Sequence, residues 1–288
     1  MEQKPENLLG RLKACGSLVV ALSGGVDSST LAKAASVALG DKAVAVTARS
    51  ELLSADELAD AKAMARAAGI RHIIVDARDL DDPQIVKNDK ERCYYCKRGR
   101  FQKLVVWARE NGFVFVADGG NLDDKNDYRP GMKAIEELAP TVISPFIECG
   151  WTKADIRRQA KEWGLSVADK PSAACLASRV EYGLPLTPER LAQVEKAEHI
   201  LRAVSKGQLR VRHHGNLARV EVEAEAPSGL AHTGAANSFL SQAAPIPEAF
   251  EEVIRRRGEI VEKLKGLGFT YVTLDLGGYR MGSANETL

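Results

Sequence analysis

The chain has 288 residues, of which 45% are hydrophobic and 27% charged, as expected for a globular protein of one large or two ordinary domains. Its 40 basic and 39 acidic residues leave a net charge of +1, which favours neither nucleic acid nor a membrane surface as a partner. The polar amino terminus and the short apolar run after it predict no signal peptide or membrane span, so we expect a cytoplasmic protein. Five cysteines in this length exclude a secreted disulfide framework.

The first part of the chain alternates short apolar runs with helical patterns. Strands are predicted at 18–22, 43–48, 70–75 and 113–117, and helices at 28–39, 54–68, 98–111 and 152–163. Ser54 with Glu57, and Thr152 with Asp155, have the spacing of helix-capping pairs. The alternation predicts an α/β fold with a doubly wound parallel sheet, which binds ligands at the carboxyl ends of its strands.

The pattern changes after Arg179. A helix is predicted at 187–203, a hairpin at 209–213 and 218–222, a helical segment within 245–267, and a last strand at 271–276. We therefore expect an α/β domain at 1–180 and a smaller α+β domain at 181–288. The segment 225–245 is rich in Ala, Ser, Gly and Pro and is predicted to be a mobile loop.

The string Ser-Gly-Gly-Val-Asp-Ser-Ser at 23–29 joins the first predicted strand to a helix. Its two glycines allow a ligand to approach the backbone closely, and amides at a helix amino terminus attract phosphate. The Lys-Ser/Thr pair of a Walker A loop is missing, so the loop predicts pyrophosphate binding rather than transfer of a γ-phosphate. An ordinary strand-to-helix turn is the alternative. The candidate ligands of a nucleotide and its Mg²⁺ are Ser23, Gly24, Gly25, Asp27, Ser28 and Ser29.

Three cysteines far apart in the sequence are candidates for a metal or sulfur site. Cys93 and Cys96 form a Cys-x-x-Cys pair just before a predicted helix, where three following basic residues are expected to favour the thiolate forms. Cys175 follows in a loop that can return to the same strand ends. The combination of a nucleotide loop with thiols points to sulfur transfer.

The residues alone leave four interpretations of these cysteines open. A structural zinc site needs a fourth ligand, for which His213 and His214 are candidates. A disulfide is disfavoured in a reducing compartment. A [4Fe–4S] cluster on three thiolates leaves one iron open for another ligand. The cysteines can also be ordinary small hydrophobic residues.

The loop at 23–29 resembles the PP-loop of the ATP pyrophosphatase superfamily, which cleaves ATP to AMP and pyrophosphate. The string Asp118-Gly-Gly-Asn121-Leu-Asp-Asp124 is similar to the second acidic loop of that superfamily. The resemblance implies ATP and Mg²⁺ as cofactors, with Asp118 close to the phosphates. It also implies adenylation of a carbonyl or carboxylate oxygen, followed by attack of a nitrogen or sulfur nucleophile.

From the PP-loop to its carboxyl terminus, the chain resembles the LarE family of pyridinium-3,5-biscarboxylic acid mononucleotide sulfurtransferases. The strings that carry the resemblance are Asn126-Asp-Tyr-Arg-Pro-Gly131, Cys175-Leu-Ala-Ser-Arg179 with Tyr182-Gly183, Arg210-Val-Arg212, and Val272-Thr-Leu-Asp-Leu-Gly-Gly-Tyr-Arg280 with Gly282-Ser283 and Asn285. The resemblance implies adenylation of each carboxylate of a pyridinium mononucleotide and its conversion to a thiocarboxylate. The product is the organic part of the nickel-pincer nucleotide of lactate racemase and its relatives.

The resemblance also implies roles for single residues. One family variant sacrifices the sulfur of the residue equivalent to Cys175, whereas the other holds a [4Fe–4S] cluster on three cysteines and turns over repeatedly. With Cys93, Cys96 and Cys175 present, this chain is similar to the second variant. The resemblance assigns catalytic roles to Asp27, Cys175, Ser178 and Arg179. It assigns binding of the substrate phosphate to Arg210 and Arg212, which face the same side of a predicted strand.

The sequence also leads to expectations about partners and to alternative functions. The resemblance implies a homo-oligomer, a trimer or a hexamer, and leaves the sulfide donor open. Thiolation of tRNA is a second enzymatic hypothesis, although the near-neutral charge speaks against it. A non-catalytic nucleotide sensor or sulfur carrier, and a zinc-stabilised ATP-dependent amidase or ligase, are further alternatives. For Glu198 the alternatives are a metal or substrate ligand and a solvated helix face.

Overall fold

A computed structural model describes residues 3–126, 130–171, 174–205, 207–223, 246–280 and 282–283, without the side chains of residues 125 and 126. The predicted loop at 225–245 lies outside the described residues. The chain forms two compact units, Met1–Cys175 and Leu176–Leu288, whereas the sequence placed the division after residue 180. Across the described residues, no helix has the length and apolar character needed to cross a membrane.

The described part of the first unit is built from alternating helices and parallel strands. In chain order they are α1 Gln3–Lys13, β1 Leu18–Ala21, α2 Val26–Leu39, β2 Ala43–Arg49, α3 Ala55–Ala68, β3 Arg71–Asp76, α4 Pro83–Val86, α5 Arg92–Glu110, β4 Phe115–Ala117, α6 Pro130–Glu136, β5 Val142–Ile143, α7 Pro145–Glu148 and α8 Lys153–Glu162. The strands pair in parallel in the order β3-β2-β1-β4-β5. The predicted α/β fold with a parallel sheet is confirmed.

Both faces of this sheet are covered, which explains why its central strands are almost continuously hydrophobic. Alternate residues of β1 point to opposite faces. Leu18 and Val20 join a core with α1, α2, α3 and α8, whereas Val19 joins a second core with Phe101 and Leu104 of α5. Two buried layers therefore hold the carboxyl ends of the strands in place.

The strand order reverses between β1 and β4, because the chain moves from β1 to β2 and β3 on one side and returns through β4 to β5 on the other. Ligands of open α/β sheets bind outside the carboxyl ends of the strands at such a reversal. The segment at 23–29 follows β1, and Asp118 follows β4. The topology thus brings the two predicted phosphate-binding segments to the same crevice.

Local sequence signals predicted two capping boxes correctly but misplaced the start of α5. Both predicted capping boxes are present, with Ser54 accepting from Glu57 N and Thr152 accepting from Asp155 N. The helix predicted at 98–111 begins at Arg92, so it includes the Cys-x-x-Cys pair that the sequence placed before it. The two-residue strand β5 and the four-residue helices α4 and α7 are too short for a periodicity to show.

The described part of the second unit is a small sheet with helices. Its elements are a 3₁₀ turn Leu176–Arg179, α9 Pro188–Arg202, β6 Leu209–His214, β7 Leu217–Val222, α10 Glu248–Arg255, α11 Arg257–Gly266 and β8 Tyr271–Leu274. The predicted hairpin is confirmed as β6 and β7, and β8 adds to β7 in parallel. The helical segment predicted within 245–267 is two helices, since the backbone at Arg256 leaves the helical region.

Candidate nucleotide and thiol site

A cavity of about 260 Å³ lies at the carboxyl ends of β1, β2 and β4 in the first unit. Its polar lining comes mainly from the two segments that the strand reversal brings together. From the PP-loop it includes Ser23, Gly25, Asp27 and Ser28, and from the loop after β4 it includes Asp118, Gly119, Gly120 and Asp124. These are the residue types and positions expected of a phosphate and Mg²⁺ site.

The PP-loop is held in a conformation that glycine alone accommodates. Gly24 has a φ of +78°, and a Cβ added there would lie 2.7 Å from the backbone nitrogen of Ala61 on α3. The hydroxyls of Ser23 and Ser28 lie 3.1 Å apart, and Ser28 donates to the carbonyl of Gly25. Gly25 is the N-cap residue directly before α2 and provides no side-chain cap. The amides at this helix start therefore suit an anionic ligand.

Two of the predicted nucleotide ligands do not line the cavity. Gly24 packs against α3, so its contribution is the shape of the loop. Ser29 lies one position further along α2, is fully buried and does not appear in the cavity wall. Asp118 is where the sequence placed it, and its Oδ2 accepts from the backbone nitrogen of Gly120.

Lys153 is a site residue that the sequence analysis missed. It is the first residue of α8, and its Nζ lies 2.5 Å from Oδ2 of Asp27 in the PP-loop. Its backbone nitrogen donates to Oδ2 of Asp123, which keeps the start of α8 beside the second acidic loop. A lysine directly after a capping threonine carries no sequence signal for a partner so far away along the chain.

The helix that carries the Cys-x-x-Cys pair also reaches into the cavity. Lys97 and Arg100 of α5 both line the cavity. Lys97 Nζ lies 3.3 Å from Oδ1 of Asp118. Arg100 donates through Nε and Nη2 to the buried carboxylate of Asp79, and through Nη2 to the hydroxyl of Ser50. One helix therefore supplies both thiols and cations to the same region.

The three candidate cysteines belong to the first unit. Cys93 is exposed, whereas Cys96 and Cys175 are partly buried. Cys96 interacts electrostatically with both of the others, so the fold brings Cys175 near the pair on α5. Among the described histidines, cysteines and carboxylates, no group of three or more is arranged to hold a single metal ion.

The expectation that basic neighbours favour the thiolate is wrong for Cys96. Burial raises the pKa of its thiol to about 12, although the guanidinium of Arg100 acts in the opposite direction. Oδ2 of Asp79 lies 3.8 Å from the sulfur and adds to the increase. Desolvation outweighs the attraction of the cation at this position. The thiol therefore remains protonated at neutral pH unless a bound metal displaces its proton.

A glycine fits α6 closely against the cysteine helix. A Cβ added at Gly131 would lie 2.9 Å from Cδ of Lys97 and 3.6 Å from the carbonyl oxygen of Cys93. Gly131 ends the string 126–131 that carries part of the family resemblance, and residues 127–129 of that string lie outside the described residues. The glycine permits close packing beside two residues of the site.

The second unit holds a separate group of charged side chains. Arg179 donates to Glu198 with Nε 2.9 Å from Oε1, and both side chains are buried. Arg179 also donates to the hydroxyl of Ser178. A solvated helix face for Glu198 is therefore wrong, because the pair with Arg179 places this carboxylate inside the unit.

Arg210 and Arg212 lie on β6, and the structure gives them different surroundings. Arg212 is buried and donates to Glu221, to the carbonyl of Ser178 and to the hydroxyl of Ser283. The guanidinium of Arg210 lies 5.1 Å from the ring centre of Tyr279, and it makes no ion pair with any described residue.

Electrostatics also distinguishes Arg210 from its neighbour. Burial lowers its pKa, and the positive charge of Arg179 lowers it further. The carboxylate of Glu198, which pairs with Arg179, acts in the opposite direction but does not cancel both guanidinium charges, so a local excess of positive charge remains. Such an excess is the electrostatic condition for binding a doubly charged phosphate.

Comparisons with known proteins cover both parts of the chain. The asparagine synthase family model matches residues 9–88. A pyridinium-3,5-bisthiocarboxylic acid mononucleotide synthase of Lactiplantibacillus plantarum is 36% identical over 99% of this chain and 95% of its own length. An uncharacterised protein of Synechocystis sp. is 37% identical over 100% of this chain and 99% of its own. A tRNA-specific 2-thiouridylase of Rickettsia felis is 27% identical over 54% of this chain and 52% of its own.

Proposed function

This chain belongs to the family of pyridinium-3,5-bisthiocarboxylic acid mononucleotide synthases, and from that premise we propose that it is an ATP-dependent sulfurtransferase. Its substrate is pyridinium-3,5-biscarboxylic acid mononucleotide, whose carboxylates it adenylates and converts to thiocarboxylates. The observation that carries the proposal is a single cavity lined by the PP-loop, by the second acidic loop and by α5, the helix of Cys93 and Cys96. ATP activation and sulfur delivery are thereby assigned to adjoining surfaces.

Adenylation follows from the polar lining of the cavity. The amides at the start of α2 and the hydroxyls of Ser23 and Ser28 bind the pyrophosphate part of ATP. Asp27 and Asp118 provide the oxygen ligands that Mg²⁺ prefers, and the ion would neutralise charge on the leaving pyrophosphate. A substrate carboxylate attacks the α-phosphorus, pyrophosphate leaves, and the acyl group becomes bonded to AMP. Lys153 holds Asp27 in orientation through this step.

Sulfur delivery is assigned to Cys93, Cys96 and Cys175. Thiolates are the ligands that iron–sulfur clusters use, and three of them leave one iron of a [4Fe–4S] cluster open. In such a cluster each thiolate binds a different iron, so the three sulfurs need not converge on one point as the ligands of a single ion must. When bound, the cluster would supply sulfide as the nucleophile. The approach of Cys175 to the pair on α5 supports this assignment.

Recognition of the mononucleotide is assigned in part to the second unit. The substrate carries one phosphate and two carboxylates, so it needs cations that internal ion pairs have not already neutralised. Arg210 meets this requirement, whereas Arg212 is bonded to the buried carboxylate of Glu221. We assign Arg210 to the phosphate and Arg212 to the support of the strand beneath it. Ser178, which follows Cys175 closely in sequence, is assigned to the end of the substrate that receives sulfur, and Arg179, which is paired with the buried Glu198, is assigned to its support.

The reaction is tested by incubating the protein with ATP, Mg²⁺, sulfide and the mononucleotide under anaerobic conditions. We expect AMP, pyrophosphate and a thiocarboxylate product, detected by chromatography and by the mass change of oxygen to sulfur. Asp27→Ala should abolish AMP formation while leaving the iron content unchanged. If the protein thiolates tRNA but not the mononucleotide, the proposal is wrong. The activity would then be that of a tRNA-specific 2-thiouridylase, like the Rickettsia felis relative that matches about half of this chain.

The cluster is tested separately by measuring iron and acid-labile sulfide after strictly anaerobic purification. About four irons and at least as many sulfides per chain are expected of a [4Fe–4S] centre. Absence of iron, together with conversion of Cys175 to dehydroalanine after one turnover, would instead identify a sacrificial donor. A stoichiometric zinc ion would identify a structural metal site.

A further inference from the structure

Arg100 borders both the nucleotide cavity and the thiols. It lines the cavity, and it follows Cys96 by one helical turn on the same face of α5. Its guanidinium interacts electrostatically with the sulfurs of Cys96 and Cys175. A cation in this position borders both the cavity proposed for ATP and the thiols proposed for sulfur delivery.

The guanidinium is fixed by two side chains at the ligand-binding edge of the sheet. Nε lies 2.9 Å and Nη2 lies 2.5 Å from the same oxygen of Asp79, and Nη2 lies 2.7 Å from Oγ of Ser50. Ser50 follows β2 and Asp79 follows β3. These bonds leave Nη1 of Arg100 with no hydrogen-bond partner in the described ranges. Nε and Nη2 of Arg100 are therefore held by the protein, whereas Nη1 is available to donate to an anion.

The backbone beside Asp79 adopts a conformation that side chains disfavour. Arg78 has a φ of +49° and a ψ of +58°, in the left-handed region, and the turn Asp79–Asp81 begins directly after it. A residue other than glycine is strained in this region, and such strain concentrates at functional sites. The side chain of Asp79 is only 3% exposed. A buried ion pair contributes little net stability, so stability alone does not account for this arrangement.

We propose that Arg100 stabilises the oxyanion formed when sulfur attacks the acyl-adenylate, and that Asp79 is its positioning residue. This inference rests on the proposed function. Sulfide attacks the acyl carbon, a carbon–sulfur bond forms, and the carbonyl π electrons move to oxygen, which accepts a hydrogen bond from Nη1. Collapse of this intermediate breaks the carbon–oxygen bond to AMP. AMP leaves with that electron pair, the sulfide proton passes to water, and no redox change occurs.

The role predicts a separation of the two half-reactions. Adenylation uses the PP-loop and should proceed in Arg100→Gln with pyrophosphate release in the first turnover close to that of the unaltered protein. Thiocarboxylate formation should fall by a factor of about 100, the usual cost of removing one oxyanion donor. Asp79→Asn should slow the same step about tenfold, since Arg100 keeps its charge but loses its orientation.

A double-variant cycle distinguishes positioning from direct contact. If Asp79 acts through Arg100, the Asp79→Asn substitution should have no further effect in the Arg100→Gln background. The matched control is Asp76→Asn, since Asp76 pairs with Arg49 at the ends of the same two strands but the pair is 56% and 54% exposed. This control should leave both half-reactions unchanged.

Three outcomes would overturn the proposal. They are an equal loss of both half-reactions in Arg100→Gln, additive effects in the cycle, and loss of activity that merely follows a lower melting temperature. If Asp79→Asn does not fold, Arg100→Lys and Ser50→Ala replace it, and thiolation at the unaltered rate in both would refute the role. Failure of the unaltered protein to release pyrophosphate with the mononucleotide would instead refute the proposed function.

Discussion

Lys153 donates to Asp27 across 2.5 Å and so joins the first residue of α8 to the PP-loop. Both side chains are partly exposed, at 29% and 26%. The carboxylate that we assign to Mg²⁺ is therefore oriented by a cation from a distant part of the sequence. Because the pair lies at the cavity, its effect should appear in ATP binding before it appears in stability.

Replacing Lys153 by Met should raise the KM for ATP about tenfold, because Asp27 would lose the cation that orients it as a ligand of Mg²⁺. The melting temperature should change little, since the pair is partly solvated. Pyrophosphate release at varied ATP concentration measures the first effect, and thermal unfolding measures the second.

Lys161→Met is the matched control for this prediction. Lys161 lies on the same helix and pairs with Asp169, but the two side chains are 58% and 78% exposed. It should leave both the KM for ATP and the melting temperature unchanged. An equal rise in KM in the two variants would show that charge on α8, rather than contact with Asp27, affects ATP binding.

Arg210→Ala and Arg212→Ala should have different consequences although the residues share one strand. Removal of Arg212 takes one of two cationic partners from the 0% exposed carboxylate of Glu221, which keeps Arg219, so the unit should lose about 1–3 kcal/mol of stability. Removal of Arg210 breaks no ion pair with a described residue, and it should weaken mononucleotide binding about tenfold with little change in stability. Urea unfolding and calorimetric titration with the mononucleotide measure the two effects. Equal loss of stability in both variants would contradict the assignment.

Cys96→Ser should remove most of the iron and prevent repeated turnover, because a hydroxyl is a poor substitute for a thiolate ligand. ATP binding should persist, since Cys96 is not part of the cavity wall. Iron per chain and product formed per chain are the measurements. Cys149→Ser is the control, because Cys149 is also partly buried in the first unit but is not one of the three proposed cluster ligands. Many full-rate turnovers by Cys96→Ser would refute the cluster.

Acid should weaken the first unit through Asp155. Burial by itself raises the pKa of this carboxyl, but hydrogen bonds from Lys4, Thr152 and Arg158 lower it overall. A carboxyl whose pKa is lower in the folded than in the unfolded state stabilises the fold above its unfolded value of about 4, and that contribution is lost as the pH falls further. The stability difference between the unaltered protein and Asp155→Asn should therefore be largest near neutral pH and shrink below about pH 4. Urea unfolding across this range measures it, and a constant difference would contradict the linkage.

Short-range signals explain which parts of the fold could be predicted. The capping boxes at Ser54 and Thr152 depend on residues three positions apart, so they can be recognised directly in the sequence. The start of α5 was predicted six residues too late, at residue 98 rather than at Arg92, because the segment before it has no capping side chain. The break at Arg256 between α10 and α11 was also missed, since helical periodicity continues through it.

In the candidate site, too, residues next to a predicted element could be predicted, whereas residues defined by a distant partner could not. Ser23, Asp27 and Asp118 could be placed because each directly follows a predicted strand or turn, and the carboxyl ends of parallel strands share one edge. Lys153 and Asp79 could not, because nothing near them in sequence identifies their partners. Arg210 and Arg212 were predicted to be equivalent, but packing against Glu221 involves one of them in an internal ion pair.

By itself, the sequence determined the alternation of strands and helices, the PP-loop, the three cysteines and the family, because each depends on local pattern or residue identity. The tertiary structure alone decided which charges meet. It placed Lys153 on Asp27 and Arg100 between Asp79 and Ser50, and it buried Glu198 against Arg179. The physical reason is that desolvation and ion pairing act through space. They depend on which surfaces the core packing brings together, and these long-range contacts cannot be predicted from a short stretch of sequence.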